Sequence, residues 1–366
     1  MTDGITRRDF LRDSAVAAAA IAAGMKAGPV VRAAQSDADK AKQAEEIRKT
    51  RSYNENMEYR RLGKTGLWIS AVCLGGHWKR IDKVTDSKDK GAFQKNRDEV
   101  VGRCMEVGIN YIDACAGGEV MAYSKAVKGK RDKVFFGYSW YEKEPRFQGW
   151  RTAEKLTQSL DDGLKASGLE HVDVWRITMH EKGRNHSDEE IQEAVKAMEK
   201  AKKDGKARFT GISTHDREWL KAQIEKFQDH LQVICTPYTA DSYELPTDSV
   251  FETIRKYQVG VFGIKPFANN SLFKGDGSPD SPTAKEDDER ARLAIRHILA
   301  NPAITAPIPG LISIHQVDNV ALAVKERREK DGKLDSKEKA KLKAAVAEMW
   351  ANLPPDYEWL RDYRYV

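Results

Sequence analysis

The sequence has few cysteines, and their spacing excludes the usual cysteine-based scaffolds. The four residues, Cys73, Cys104, Cys115 and Cys235, form no CxxC pair and no zinc-type spacing. Each lies in a largely apolar stretch. We therefore interpret them as small buried residues and exclude a disulfide framework.

An excess of charge of one sign is also missing. Lys and Arg number 62, Asp and Glu number 56, and the two signs are interleaved along the chain. This pattern does not indicate a nucleic-acid-binding surface, and we expect no nucleic-acid partner. The mean hydropathy of −0.65 argues against a protein with many membrane spans. What is present, 366 residues of which 40% are hydrophobic, is enough for one large core or two modest ones.

The first 34 residues have the pattern of an export signal. The segment Thr6–Arg12 (TRRDFLR) is similar to the twin-arginine export motif, and the apolar run Ala15–Ala23 is too short to span a bilayer comfortably. Val31–Ala33 offers a small-x-small cleavage pattern. We expect residues 1–34 to be a twin-arginine signal peptide, recognised by the translocation machinery, and residues 35–56 to be a linker.

These features predict a protein exported to the periplasm, with no stable membrane span after cleavage. The twin-arginine route moves proteins that have already folded, often with a cofactor acquired in the cytoplasm. The alternative interpretation is a cytoplasmic protein whose N-terminus forms an amphipathic helix.

From residue 57 onward, short apolar runs alternate with amphipathic stretches. The runs are rich in Val, Ile and Phe without strict alternation, which is typical of strands buried on both faces. The predicted strands are Ala71–Gly75, Asn110–Asp113, Val134–Tyr138, Val172–Thr178, Phe209–Ser213, Val233–Thr236, Val259–Lys265 and Ala306–Pro309.

Eight strand–helix pairs are the number that closes a parallel barrel. The alternative, an open doubly wound sheet, lacks its G-x-G-x-x-G first turn here. Glu58–Ile69 predicts a β-hairpin that covers the barrel floor, and Ser336–Leu353 predicts a further helix. The predicted fold is therefore α/β: a TIM (β/α)8 barrel over residues 57–366, with an N-terminal β-hairpin and an extra C-terminal helix.

Several segments resemble the aldo-keto reductase family, in the family's order and over residues 57–325. Tyr59–Leu67 resembles the opening hairpin, Gly108–Asp113 the second strand, Gly205–Ser213 the approach to the fifth strand, and Ile308–Val317 the last strand with its cofactor-side helix. The resemblance implies the barrel fold. It also implies NADP(H)-dependent redox chemistry between a carbonyl and an alcohol, on a small-molecule substrate.

The family uses a catalytic tetrad of Asp, Tyr, Lys and His, which this chain matches only in part. Asp113 matches the aspartate, but the loop 114–119 that follows contains no tyrosine. Ser139 stands at the lysine position and Thr178 at the histidine position, with His180 two residues further on.

The resemblance therefore implies an altered site with two catalytic residues, Asp113 and His180. Carbonyl reduction needs a proton for the developing alkoxide. Asp113 would orient the site, and His180 or a displaced tyrosine would give the proton. The candidate tyrosines are Tyr123, Tyr138 and Tyr141.

The family's cofactor positions are also partly retained, so NADP(H) is the cofactor that the resemblance implies. Thr214 replaces the usual asparagine, Ile264 replaces the aromatic that stacks on nicotinamide, and Ile312 replaces a basic residue. Losing a stacking face and a cation should weaken dinucleotide binding. The predicted cofactor-binding residues, including Lys265 as a displaced cation, are Ser213, Gln232, Lys265, Pro309, Gly310 and Ser313.

Two other functions stay open at this point. The chain could be a non-catalytic barrel that binds a small ligand or a partner. His77, Asp113, His180 and His215 all follow predicted strands and could converge on one mouth, where imidazoles and a carboxylate could hold Zn²⁺ in a metal-dependent enzyme. No two of these residues share a tight metal-ligand spacing, so we predict no metal site among them.

Overall fold

Residues 37–366 are described by a computed structural model. The predicted signal peptide, with its twin-arginine motif and its cleavage pattern, lies outside these residues. Among the helices of residues 37–366, none is long and apolar enough to cross a bilayer.

Parallel strands form the centre of the fold. Seven of them lie side by side in chain order in one sheet. Strands β1 (Tyr59–Arg61) and β2 (Trp68–Ser70) belong to the N-terminal hairpin. The seven strands of the sheet are β3 (Tyr111–Ala114), β4 (Phe135–Tyr138), β5 (Val172–Thr178), β6 (Ala207–Ser213), β7 (Val233–Pro237), β8 (Gly260–Ile264) and β9 (Ala306–Pro307).

The predicted first strand, residues 71–75, closes this sheet into a ring. Leu74 bridges to Ile112 on one side and Gly75 bridges to Gly310 on the other, both in parallel. The Leu74 N–H donates to the Tyr111 carbonyl at 3.0 Å, and the Gly75 N–H donates to the Pro309 carbonyl at 2.8 Å. Residues 71–75 thus add an eighth strand that joins both edges of the sheet. The predicted TIM barrel is confirmed.

Helices alternate with the strands and cover the outside of the barrel. They are α2 (Lys90–Glu106), α3 (Gly117–Ala126), α4 (Ala153–Ser167), α5 (Asp188–Lys203), α6 (Arg217–Lys226), α7 (Val250–Tyr257), α8 (Ala284–Ile298) and α9 (Ile314–Glu329). Helix α5 begins at a capping box in which Ser187 and Glu190 exchange side-chain and backbone hydrogen bonds.

Side chains alternate between the barrel interior and the helix layer, because successive residues of a strand point to opposite faces. Interior apolar residues include Tyr111, Phe135, Val174, Phe209 and Phe262. Leu62, Leu67 and Ile69 of the hairpin belong to the same interior cluster.

The N-terminal hairpin is present as predicted. Its strands β1 (Tyr59–Arg61) and β2 (Trp68–Ser70) pair in antiparallel register. Its apolar side chains pack into the barrel interior from the amino end of the strands. The free space at the centre of the fold therefore lies at the carboxyl end.

The predicted linker, residues 35–56, has two parts within the residues that the structure describes. Its first part is helix α1 (Asp37–Arg48), which buries no residue. After that helix the chain docks on the barrel, where the Arg51 guanidinium donates to the Val134 carbonyl at 2.7 Å and to Asp173 at 3.2 Å. Because a buried carboxylate holds it in place, this second part belongs to the barrel domain.

The C-terminal region contains the predicted extra helix and one element that was not predicted. Helix α10 (Ser336–Ala351) corresponds to the predicted Ser336–Leu353. A 3₁₀ helix, Pro355–Tyr363, follows it and carries Tyr357 and Trp359 to the carboxyl end of the barrel. These aromatic residues form part of the wall of the central cavity.

Candidate active site

A cavity of about 760 Å³ opens at the carboxyl end of the barrel strands. This is the end at which barrel enzymes carry their active sites. The volume lies in the range of pockets that hold cofactors and small molecules. Its wall includes strand ends, the loop after β8, the loop before α9 and the 3₁₀ helix Pro355–Tyr363.

A buried ion pair lies at the base of the cavity. Asp113 on β3 accepts hydrogen bonds from Arg176 on β5, with Nη2–Oδ2 at 2.7 Å and Nε–Oδ1 at 3.3 Å. The two side chains are 5% and 4% exposed, so water screens the pair poorly. Burial alone would lower the pKa of Arg176, but the Asp113 carboxylate raises that pKa well above its ordinary value.

Arg176 was not predicted as a site residue, although the sequence holds a signal for it. Strand β5 reads VDVWRIT, and Arg176 lies on the same face as Val174, which points into the barrel. A charged residue at an inward position beside apolar residues requires a buried partner. Gly137 on the intervening strand leaves room for the side chains of β3, since a Cβ there would lie 2.1 Å from the Tyr111 hydroxyl and 3.0 Å from Asp113 Oδ1.

The residues at the tetrad's lysine and histidine positions bind each other. The Ser139 and Thr178 hydroxyls are 2.8 Å apart, and Ser139 Oγ donates to Glu144 at 2.5 Å. The Glu144 carboxylate is buried, and it also accepts from the Thr178 N–H at 2.8 Å. Burial raises the pKa of Glu144. This group braces the ends of β4 and β5.

The three candidate tyrosines lie in different places. Tyr138 faces away from the cavity, and its buried hydroxyl has no hydrogen-bond partner within residues 37–366. The Tyr123 hydroxyl donates to the Gly75 carbonyl at 2.6 Å. Tyr141 lines the cavity, with the Arg146 guanidinium 5.6 Å from its ring centre. Burial raises the pKa of Tyr141, which therefore holds its proton at neutral pH. Of the three, Tyr141 is placed to meet a molecule in the cavity.

The predicted catalytic residue His180 lies next to the cavity without lining it. Its side chain does not belong to the cavity wall. Its Nδ1 accepts from the Lys182 N–H at 3.0 Å, and its own N–H donates to His186 at 2.9 Å. The neighbouring residues Thr178 and Glu181 line the cavity, whereas the His180 side chain is bound within its own loop, so His180 organises that loop.

His215 does reach the cavity, where it stacks on Trp359 with ring centres 4.2 Å apart. Burial lowers the pKa of His215 to about 3, so its imidazole is neutral. The alternative metal group of His77, Asp113, His180 and His215 does not assemble in the cavity, because His180 is bound within its own loop and Asp113 is bound to Arg176.

Four of the six predicted cofactor-binding residues line the cavity together. They are Ser213, Lys265, Pro309 and Gly310. Ser213 ends β6 and is buried, while Lys265 follows β8 in a left-handed conformation with φ of 61°. Ile264 and Ile312, which replace an aromatic and a basic residue of the family, also lie on the wall.

The other two predicted cofactor residues do not line the cavity. Ser313 is the N-cap of α9, and its hydroxyl accepts from the Gln316 N–H at 3.2 Å. Gln232 precedes β7, and its amide oxygen accepts from the Thr210 N–H. The strand register pairs Cys235 with Ser213, so Gln232 lies three residues, about 10 Å, below that level. Gln232 therefore lies towards the amino end of the barrel, and its role in cofactor binding stays a prediction.

The wall beyond these residues has two features that are typical of ligand-binding sites. The loop after β8 contains three further residues with positive φ, Ala268, Asn269 and Asn270, and the two asparagines line the cavity. Residues held in such conformations cluster at ligand-binding sites. The amino end of the 16-residue helix α9 meets the same cavity through His315 and Gln316 and favours negative charge.

The cysteine interpretation holds for three of the four residues. Cys73, Cys104 and Cys235 are buried and reduced, whereas Cys115 is half-buried and lines the cavity. Burial raises the pKa of Cys115 well above its ordinary value. Within residues 37–366, the one group with the spacing of metal ligands is Cys115 with His77 and Glu119.

Comparison with known proteins agrees with this fold. The sequence pattern of the aldo/keto reductase family matches residues 76–339. L-galactose dehydrogenase of Arabidopsis thaliana is 26% identical over 297 residues, 74% of this chain and 89% of its own length. The uncharacterized oxidoreductase YrpG of Bacillus subtilis is 25% identical over 321 residues, 75% of this chain and 93% of its own.

Solved structures show the same architecture. The aldo-keto reductase AKR11C1 from Bacillus halodurans, in its holo form, superposes with a TM-score of 0.56 at 21% identity, covering 79% of this chain and 96% of its own. An aldo-keto reductase from Klebsiella pneumoniae in complex with NADPH superposes with a TM-score of 0.58 at 21% identity, covering 79% and 94%. Since the family pattern spans well over half of the sequence, this chain belongs to the aldo/keto reductase family.

Proposed function

We propose that the protein is an NADP(H)-dependent oxidoreductase that interconverts a small carbonyl compound and its alcohol. The observation that carries this proposal is one continuous cavity. It joins the buried Asp113–Arg176 pair to the wall segment Pro309–Ile312 before helix α9. The similar Klebsiella protein, which was solved with NADPH, supports the choice of cofactor.

The residues on the wall have two proposed roles, cofactor binding and the chemistry at the substrate. Ser213, Lys265 and the Pro309–Gly310 turn would hold the cofactor, which when bound would supply the hydride. Tyr141 would donate the proton to the oxygen of the substrate. Arg176 keeps its own proton, so it stabilises negative charge in the cavity and fixes Asp113, but it does not serve as an acid.

Binding of NADPH tests the cofactor part of this proposal. The cavity wall contains Trp359, so tryptophan fluorescence should change saturably as NADPH is added. Lys265→Met should weaken binding about tenfold, or about 1.4 kcal/mol, because a cation on the wall is lost. Lys256→Met is the matched control, since Lys256 is exposed on the outer helix α7. Absence of saturable binding would contradict the proposal.

Turnover of NADPH with a panel of aldehydes and ketones tests the chemistry. Tyr141→Phe should lower kcat by about 10²–10⁴-fold while the Kd for NADPH stays the same, because only the proton donor is removed. Tyr138→Phe, which deletes a hydroxyl outside the cavity, should keep kcat. NADPH binding without turnover of any carbonyl compound would favour the alternative of a non-catalytic, ligand-binding barrel.

We also propose that the chain is exported through the twin-arginine route to the periplasm. The support is the TRRDFLR segment, the short apolar run after it and the cleavage pattern at Val31–Ala33. Replacing the pair by Arg7→Lys with Arg8→Lys should leave the precursor in the cytoplasm in a cell-fractionation experiment. Arg12→Lys, outside the arginine pair, is the matched control. Continued export of the double variant would overturn the targeting proposal.

A further inference from the structure

A second cluster of reactive side chains lies beside the Asp113–Arg176 pair. It consists of His77, after the first barrel strand, and of Cys115 and Glu119, around the start of helix α3. His77 Nδ1 lies 2.9 Å from Glu119 Oε1 and 3.4 Å from Cys115 Sγ. One ligand atom of each residue lies within 4.8 Å of the other two. His77 and Cys115 line the cavity, and Glu119 lies behind them.

These distances are close to those of a tetrahedral metal site. Zinc binds imidazole nitrogen at about 2.0–2.1 Å and thiolate sulfur at about 2.3 Å, which places the two ligand atoms about 3.5 Å apart. The observed separation of His77 Nδ1 and Cys115 Sγ is 3.4 Å. The carboxylate of Glu119 is closer to the imidazole than a bound ion requires, and a shift of about 0.5 Å would bring it to a ligand position.

The backbone around the cluster is shaped to hold the carboxylate in place. Glu119 accepts hydrogen bonds from the His77 N–H at 2.6 Å and from the Cys115 N–H at 2.8 Å. Gly76 lies directly against the carboxylate, since a Cβ at that position would be 1.9 Å from the Glu119 carboxyl carbon. His77 itself has φ of 58°, a strained conformation for a residue with a side chain.

The charge of the cluster also favours a cation. Glu119 is 6% exposed, and in residues 37–366 its ion-pair partner is His77 alone, with no lysine or arginine. A divalent cation with one thiolate and one carboxylate would give an electrically neutral group, and the thiol proton would pass to solvent.

We propose that His77, Cys115 and Glu119 form a Zn²⁺-binding site with one open coordination position that faces the cavity. Mixed nitrogen, sulfur and oxygen ligands suit zinc, and three protein ligands with a free position are the arrangement of accessible zinc sites. The His77 side chain is 47% exposed, so an ion can enter from solvent. Water, or an oxygen atom of a molecule in the cavity, would complete the coordination.

Metal titration of the purified full-length chain tests this site, without cofactor or substrate. Co²⁺ is the first probe, because a cobalt–thiolate bond gives a charge-transfer absorption that a purely nitrogen- and oxygen-bound ion lacks. We expect one equivalent of Co²⁺ to bind with this absorption, and an equimolar amount of Zn²⁺ to remove it. Because no nicotinamide is present, failure of this proposal is distinguishable from failure of the proposed function.

Variants identify the ligands. Cys115→Ser should abolish the charge-transfer absorption, and Cys115→Ser and His77→Gln should each weaken Zn²⁺ binding about 100-fold or more. His180→Gln is the matched control, since His180 lies outside the cavity and should leave the affinity unchanged. Circular dichroism of each variant confirms that the fold is retained, and Cys115→Ala is a second variant if Cys115→Ser does not fold. Absence of saturable binding, binding without the thiolate absorption, or full affinity in Cys115→Ser would each overturn the proposal.

Discussion

The barrel contains a buried aspartate at each end, and the two have different surroundings. At the amino end, Asp173 is fully buried among three arginines, with nitrogen–oxygen distances of 3.2 Å to Arg51, 2.6 Å to Arg131 and 2.9 Å to Arg208. Its carboxylate also accepts from the Phe136 N–H at 2.8 Å. Three basic side chains from separate parts of the chain therefore converge on one acid.

At the carboxyl end, Asp113 has a single arginine partner, Arg176, and the cavity lies next to it. The amino end of a barrel contributes stability, whereas the carboxyl end carries the chemistry. In this chain the two buried aspartates follow that division between stability and chemistry. Asp173 joins segments that are distant in sequence, and Asp113 keeps a charged pair in contact with the space that a ligand would enter.

Asp173→Asn should break the amino-end cluster and have the largest effect on stability. Removing one partner of a buried ion pair costs about 3–5 kcal/mol, and here three arginines lose their carboxylate. Urea unfolding followed by circular dichroism measures this loss. An unchanged unfolding midpoint would show that the cluster does not stabilise the barrel.

We expect the stability that the Asp173 carboxylate contributes to depend on pH. Burial alone would raise the pKa of Asp173, but the three arginines lower that pKa well below its ordinary value. The stability from this carboxylate is therefore complete above the unfolded-state pKa of about 3.9 and is lost as the pH falls below it. The difference in unfolding free energy between the native protein and Asp173→Asn should shrink below about pH 4. A difference that grows on acidification would contradict the assignment.

Asp113→Asn tests the role of the aspartate at the carboxyl end of the barrel. Arg176 would lose its fixed position beside the cavity, and misplacing a group by about 1 Å can cost about 100-fold in rate. We expect kcat/KM for carbonyl reduction to fall by about that factor or more, with a smaller loss of stability than in Asp173→Asn. Unchanged turnover in a folded variant would remove Asp113 from the catalytic site.

Arg208→Gln should have the smallest effect of the three substitutions. Asp173 keeps Arg51 and Arg131, so only one charge-assisted hydrogen bond is lost, worth about 1.5–3 kcal/mol. Thermal unfolding measures this change, and carbonyl reduction should stay the same because the cluster lies away from the cavity. A loss as large as that of Asp173→Asn would show that the three arginines act as one unit.

The fold was predictable because its signals are local. The strands are short, mainly apolar runs such as Val233–Pro237, and the helices are amphipathic stretches, so their order along the chain indicates the barrel. Asp113 was predictable too, because it ends a strand and the carboxyl ends of parallel strands meet at one mouth.

The placement of His180 and Gln232 outside the cavity wall depended on information that is not local. His180 lies two residues after a strand, but its side chain is bound within its own loop. Gln232 was assigned without knowing the register between β6 and β7, which places Cys235 at the level of Ser213. The direction of a loop and the offset of a strand are set by packing against neighbouring elements, so a pattern in one segment does not contain them.

The sequence by itself determined the number and order of the strands, the hairpin, the C-terminal helix and one acid at the mouth, because propensity and hydrophobic period act over a few residues. Only the tertiary structure decided that Arg176 is the partner of Asp113, that Glu119 joins His77 and Cys115, and that Trp359 reaches the cavity wall. These contacts join residues that are brought together when the barrel closes, and closure is a property of the whole chain.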